Sequence, residues 1–394
     1  MVEDEYTDIG SDDRDSALGD DVSLLTMSVT SSVYNYRYEH GRRYHAYSEG
    51  KYLVPNDEPE KDRLDLQHHT FRLTADGALY IAPISKSNVQ NVLDVGTGTG
   101  IWAIEFAEEH PQASVLGTDL SPIQPELLPP NCSFLIDDAD HDWIFHQPFD
   151  FIHARAMMAA FKDWPRFLDQ SFTNLKPGGY LELQEFHLPP QCLTNPSLNV
   201  SLSSSPAESP HPLSPNPIIQ WGQYMSTAGS RIGLDFRVAS NFGPLLQSAG
   251  FVDIHATHFK WPYGPWAKGE KMKMLGRFAA QDLEDGLQAS VLGLFTKVLG
   301  WTREEVEVFL SSVRKEIREG CEGIWQPVVF WYARRPLPGE AIKPSQTVTT
   351  QEITLEPDEN YLTTRRQVRE ERTMAEKDVE RTDSAVDAQP SDAV

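Results

Sequence analysis

The sequence predicts an α/β fold, a Rossmann-like and mainly parallel sheet of seven strands with helices on both faces. Three observations predict it. Short apolar runs alternate with helical stretches from residue 91 onward, as βαβ units require. A glycine loop, Gly96-Thr97-Gly98-Thr99-Gly100, joins the first apolar run to the first of those helices. Acidic residues stand at or near the ends of the first three runs, as Asp94, Asp119 and Asp137-Asp138.

The elements follow in order. Residues 1–33, acidic and rich in Ser and Asp, are expected to be a disordered tail. Residues 34–85 are dense in aromatics, His and Arg, too polar for core and too aromatic for a linker, and are expected to form an ordered arm or lid. Pro59 opens a helix there, with Leu64, His68 and Phe71 on one face. A nucleotide-binding core is placed at 86–188. Its strands are NVLDVG, SVLGTD, SFLIDD, FDFIHAR and GGYLELQEF, with helices at IWAIEFAEEH and from Pro165. Residues 189–217 are Pro/Ser-rich and are expected to be a disordered insertion. Order returns over 218–335, with strands at VDIHATHFKWPY and VVFWYARR and a helical cap at 265–320 between them. That cap includes a capping box from Thr302 to Glu305. From 336 to 394 a polar, disordered tail is expected.

Bulk properties narrow the function. The 394 residues carry a formal charge of -24, which argues against nonspecific nucleic-acid binding, since that relies on cations. Much of the excess sits at the two ends, where solvated acidic tails are the plain reading. No apolar run approaches the ~20 residues a membrane span needs. The acidic start, MVEDEYTDIGSDDRD, lacks the basic and apolar regions of a secretory signal. Cys132, Cys192 and Cys321 have no CxxC spacing, so neither a disulfide framework nor a zinc site is expected, and an intracellular, reducing compartment fits. His40, His45, His68 and His69 lack a ligand spacing such as HExxH, and no metal is expected.

The chemistry lies in the loop spacing. Dinucleotide enzymes use G-x-G-x-x-G, with the diphosphate over the helix N-terminus. Here the pattern is D-x-G-x-G-x-G from Asp94. An acid in that place accepts from a ligand ammonium or orients the loop, and S-adenosyl-L-methionine has an ammonium and no diphosphate. Asp119, followed by Leu120, suits the two ribose hydroxyls. Asp137, Asp138 and the backbone at Ala139 suit the adenine amino group and ring. Together with Thr97, these positions match the parts of one ligand at successive strand ends. Taken singly, each acid is as well explained as a helix cap or a solvated loop residue.

The segments LDVGTGTGIWAIEFA, VLGTDLSPIQP, FLIDDADHDWIF, FDFIHARAM, FKDWPRFLDQSFTNLKPGGYLELQEF and FGPLLQSAGFVDI, with the upstream YLVPNDEPEKDRLDLQHH, resemble fungal LaeA-like methyltransferases. The likeness runs from about Tyr34 to Pro336 and skips the Pro/Ser insertion. It implies a class I methyltransferase fold. For some members it also implies nuclear control of secondary metabolism with velvet-type protein partners. Trp325 stands where the related pattern often has histidine, so a histidine role there is not carried over.

For catalysis the candidates are His153, Arg155 and Glu185, at the carboxyl ends of the fourth and fifth strands. His153 is a candidate base, needed only for acceptors that must lose a proton. Arg155 is a candidate partner for an acidic acceptor or for the arm. Tyr44, Tyr47 and Tyr52 of the arm, and Trp164, are candidates for aromatic lid and substrate walls. The acceptor is left open between a small molecule and a protein side chain. A cofactor-binding regulator acting through partners is the alternative from another class. An NAD-dependent oxidoreductase is disfavoured by the loop.

Overall fold

A computed structural model of the protein describes residues 36–39, 41–48, 51, 54–199, 213–340, 347–365 and 367. The predicted tail at 1–33, Tyr52 and the middle of the Pro/Ser insertion lie outside the described residues. A hairpin, β1 (Arg37–Glu39) and β2 (Arg42–Tyr44), precedes helix α1 (Glu58–Thr74). Asp57 caps α1 through the N–H of Glu60, and a proline sits in its first turn, where a missing N–H costs nothing. The arm is less superficial than its polarity suggested. Gln67, His68, Thr70, Phe71 and Thr74 are all buried on α1, their polar atoms paired.

Seven strands form where the apolar runs predict them: β3 (Asn91–Val95), β4 (Ser114–Asp119), β5 (Cys132–Ile136), β6 (Phe149–Arg155), β7 (Leu175–Phe186), β9 (Val252–Pro262) and β10 (Ile324–Arg334). Their order across the sheet is β9-β10-β7-β6-β3-β4-β5. Strands β3 to β7 pair in parallel, and β10 runs antiparallel between β7 and β9. Helix α2 (Ile101–Glu109) follows β3, and α3 (Trp164–Asn174) precedes β7. The two-residue period sorts side chains to opposite faces. Val92 and Phe151 join Trp102 and Phe106 of α2 on one face, while Leu93 and Ile152 join Phe167 and Leu168 of α3 on the other.

A third core lies under the cap. Helix α4 (Pro217–Arg231), α6 (Glu270–Leu294) and α7 (Arg303–Arg318) bury Ile218, Met225, Leu287, Val291, Leu310 and Val313 against Phe71, Trp261 and Phe330. The short α5 (Phe242–Ser248) precedes β9 and packs with the α3 side. The predicted capping box is present at the start of α7.

Two expectations of disorder are corrected. The insertion begins with ordered chain: β8 (Gln191–Cys192) pairs with Ile324 and Trp325 of β10, and residues 189–192 are buried. The C-terminal segment adds β11 (Thr349–Glu352) in parallel to the outer edge of β9. Leu355 and Leu362 then pack on Trp266 and Ala267. The outer edge of β9 and the apolar patch around Trp266, which this segment covers, give that polar tail something to bind. Cys132, Cys192 and Cys321 are free and buried. No helix among the described residues is long and apolar enough to cross a membrane.

Candidate active site and cofactor cavity

A cavity of about 280 Å³ runs along the carboxyl ends of the strands, between the sheet, α1 and the cap. Ligands bind at this edge in open α/β sheets because loops and helix N-termini converge there. The β3–α2 loop shapes one half. Gly96, Gly98 and Gly100 all have positive φ, and any Cβ on Gly96 would collide with the Met157 side chain. Gly100 plays another part than predicted. It does not line the cavity but lets the Phe134 ring close on the backbone, where a Cβ would collide.

Asp94 orients the loop rather than pointing freely at a ligand. One oxygen accepts from the Thr97 hydroxyl at 2.6 Å and the other from His153 Nδ1 at 2.7 Å. At the end of β4, Asp119 accepts the Gly98 N–H at 2.8 Å on one oxygen and the Ser121 N–H at 2.9 Å on the other. Burial pushes this carboxyl up to about 6, against the downward pull of those backbone donors. Each oxygen keeps a further lone pair, which suits two vicinal hydroxyls. Leu120, Asp137, Asp138 and Ala139 continue the wall. This donor and acceptor set fits the nucleoside of S-adenosylmethionine.

The arm closes this half, but not with Tyr44 or Tyr47. Lys51 pairs with Asp138 and, at 2.9 Å, with Asp140, while Ser48 donates to Asp138 at 2.9 Å. Burial works to raise the Asp138 carboxyl, but Lys51 and its other donors outweigh it, so the net shift is downward. Asn56 donates to Ser121 at 3.2 Å. The Thr99 hydroxyl donates to Asp65 of α1 at 2.7 Å, tying helix to loop. Neither Tyr44, buried in β2, nor Tyr47, in the following turn, lines the cavity. The contact falls instead to Lys51, Val54, Pro55 and Asn56.

His153 and Arg155 face the middle of the cavity. The His153 ring stacks on Trp102 at 3.8 Å and 4°. Burial holds it below its ordinary value despite Asp94, so it is neutral at pH 7, and its buried Nε2 has no hydrogen-bond partner among the described residues. Arg155 donates to His68 Nδ1 at 3.1 Å, and His68 Nε2 donates to Glu105 at 2.9 Å. Burial lowers His68 to about 4, which fixes this neutral tautomer. Arg155, itself lowered to about 10 by burial, thus bridges to the arm helix and lies over the Phe71 ring.

The other half was missed by sequence reasoning. Its walls are Met158, Phe186, Leu188, Trp221, Phe236 and Leu283, from β7, α4, α6 and the loops between. Polar groups are few: Tyr263, Gln326 and Ser290. At the roof, Arg63 of α1 takes both oxygens of Glu60 and bonds Asp282 of α6 at 2.7 Å, with Gln67 also on Asp282. This buried ion cluster clamps arm to cap. The Trp and Met residues of IIQWGQYM hinted at an apolar wall, but only tertiary placement brings it to the site.

Two further predictions are corrected. Glu185 does not line the cavity: it is fully buried, accepts the N–H groups of Met157 and Met158, and is pushed up to about 8 by burial. It braces the loop after β6. Trp164 is likewise core, packed on Phe161, Phe167 and Phe242 outside the cavity.

A profile described as "Methyltransferase domain" matches residues 66–256. "Methyltransferase pytC" of Aspergillus terreus is 39% identical over 318 residues, covering 80% of this chain and 93% of its own. "Secondary metabolism regulator LAE1" of Cochliobolus heterostrophus is 34% identical, covering 79% and 98%. Among solved structures, a Haemonchus contortus phosphoethanolamine N-methyltransferase aligns with a TM-score of 0.40 and 14% identity, over 81% of this chain and 75% of that one. The sequence relationship and the class I sheet agree: this chain belongs to the LaeA-like family of S-adenosylmethionine-dependent methyltransferases.

Proposed function

We propose that the chain methylates a small, largely apolar molecule rather than a protein side chain. The observation that carries this is the concave, apolar chamber beneath the cap, walled by Phe186, Leu188, Trp221, Phe236 and Leu283 and continuous with the nucleoside half. Small-molecule sites are concave, apolar and sparsely polar, whereas a lysine or arginine on a protein needs an open, acidic approach. When bound, S-adenosylmethionine supplies an electrophilic methyl group. The chain's own task is to hold an acceptor in line and keep water out, and positioning of this kind contributes several kcal/mol. In this reading Asp119 holds the ribose and Asp138 the adenine end. Asp94 and His153 act as a unit that sets the glycine loop. Arg155 fixes α1 over the site through His68. A catalytic role for His153 Nε2 would require the enclosing side chains to open.

Incubation with methyl-labelled S-adenosylmethionine, a panel of aromatic hydroxyl compounds and a lysine- and arginine-bearing peptide array tests the proposal. Label in the organic extract supports it; label in peptides alone overturns it. Nuclear action with velvet-type partners is a second reading, favoured by relatives described as secondary metabolism regulators. Co-purification of a velvet-type protein with the tagged chain from nuclei would support that reading.

A further inference from the structure

The polarity of one hydrogen bond in the apolar chamber restricts what the chamber will hold. Gln326 lies on β10 with its amide Nε2 donating to two main-chain carbonyls, of His187 at 2.7 Å and Pro327 at 3.0 Å. Carbonyl oxygens only accept, so the amide cannot be flipped, and Oε1 is left as an acceptor. The Tyr263 hydroxyl lies 3.1 Å from that Oε1 and must donate to it. Burial raises the Tyr263 phenol well above its ordinary value, so it keeps its proton. Its single hydrogen is therefore committed, and only the oxygen lone pairs remain for a ligand. In the same wall, Trp221 is 7% exposed, and its buried indole N–H has no partner among the described residues. Both residues line the cavity. One supplies a fixed acceptor, and the other an unused donor that a ligand reaches once the side chains over it shift.

We propose that Tyr263 and Trp221 select a neutral molecule carrying a hydroxyl or N–H group, donating to the Tyr263 oxygen and accepting from the Trp221 indole. This rests on the small-molecule reading above and adds the polar group the molecule must bear. A group already capped with methyl has no hydrogen for Tyr263. A carboxylate has none either, and loses its hydration in an apolar chamber. The chamber therefore favours the un-methylated form of a hydroxyl compound over its methyl ether, the direction that lets product leave.

The test is calorimetric titration of the full chain, loaded with S-adenosylhomocysteine, with 2-naphthol, 2-methoxynaphthalene and 2-naphthoate. The expected result is that 2-naphthol binds about tenfold tighter than its methyl ether, one good hydrogen bond's worth, and that 2-naphthoate does not bind. Tyr263→Phe should bring the two neutral probes level while leaving S-adenosylhomocysteine affinity unchanged, which also reports that the variant is folded. Gln326→Met, which frees the hydroxyl to turn, should let the methyl ether approach 2-naphthol. A preference that survives Tyr263→Phe, or tight binding of 2-naphthoate, overturns the proposal. Equal binding of the two neutral probes to the unmodified chain overturns it while leaving the small-molecule reading intact. Binding of none of the three, with S-adenosylhomocysteine bound, overturns both.

Discussion

Replacing Asp119 with Asn probes the cofactor half most sharply, because the carboxylate has a defined job for each oxygen. Each accepts one backbone N–H, from Gly98 and from Ser121, and each keeps a lone pair for a ribose hydroxyl. Asn supplies one accepting oxygen and one donating nitrogen. Either a backbone N–H or a ribose hydroxyl then loses its acceptor, and the other contacts lose their charge assistance. A charge-assisted hydrogen bond contributes about 1.5–3 kcal/mol, and an unsatisfied buried N–H costs a similar amount. A loss of about 2–4 kcal/mol follows, roughly 30- to 700-fold in Kd. The pH dependence separates this from general damage. Burial raises the Asp119 carboxyl to about 6, so at pH 5 most of the ligand-free protein carries it protonated, and binding must release that proton. Affinity for S-adenosylhomocysteine should therefore weaken as pH falls from 7 to 5, with proton release, and Asp119→Asn should be flat over that range. Calorimetry in two buffers of different ionisation heat reads both quantities. A wild-type affinity constant from pH 5 to 8, or a variant within threefold of wild type, would refute the assignment.

Three other predictions concern stability. Gly100→Ala puts a Cβ against the Phe134 ring at φ +82°. Left-handed backbone costs about 1–2 kcal/mol and overpacking about 1–3, so thermal denaturation should show a drop of several degrees; an unchanged Tm would contradict the packing role. Glu185 is buried with its carboxyl raised to about 8, so the unfolded chain ionises it before the folded one does. Ligand-free stability should thus fall as pH rises from 6.5 to 8, by on the order of 1–2 kcal/mol, and Glu185→Gln should reduce that slope in urea titrations; an identical slope would count against it. Truncation after Glu340 removes β11 and uncovers Trp266 and Trp325; a lower Tm and dye binding to exposed apolar surface are expected, and neither change would mean the tail is only loosely held.

The strands, the glycine loop and the capping box were legible because each is written in local pattern. Val92 and Leu93 announce a strand buried on both faces, and Thr302 with Glu305 announces a helix start. What escaped depends on pairing across long stretches of chain. Nothing local tells that Lys51 meets Asp138 or that Arg63 meets Asp282. Glu185 looked catalytic because it is an acid at a strand end; the two N–H groups that claim it lie in a loop 27 and 28 residues earlier. Tyr44 and Tyr47 looked like walls because aromatics suit walls, yet the part of the arm before α1 reaches the cavity through Lys51, Val54, Pro55 and Asn56. The β11 strand carried a usable signal in TVTTQEIT, whose β-branched residues suit an edge strand, but its polarity masked it.

In the proposed reading a single cavity has a nucleoside half over β3, β4 and β5 and an acceptor half under the cap. A crystal structure of the chain with S-adenosylhomocysteine tests it most directly. The expected result is the ribose on Asp119, the adenine beside Asp138 and Ala139, and the sulfur facing the chamber of Phe186, Leu188 and Trp221. Adenine seated in that apolar chamber, or a ribose with no contact to Asp119, would contradict it.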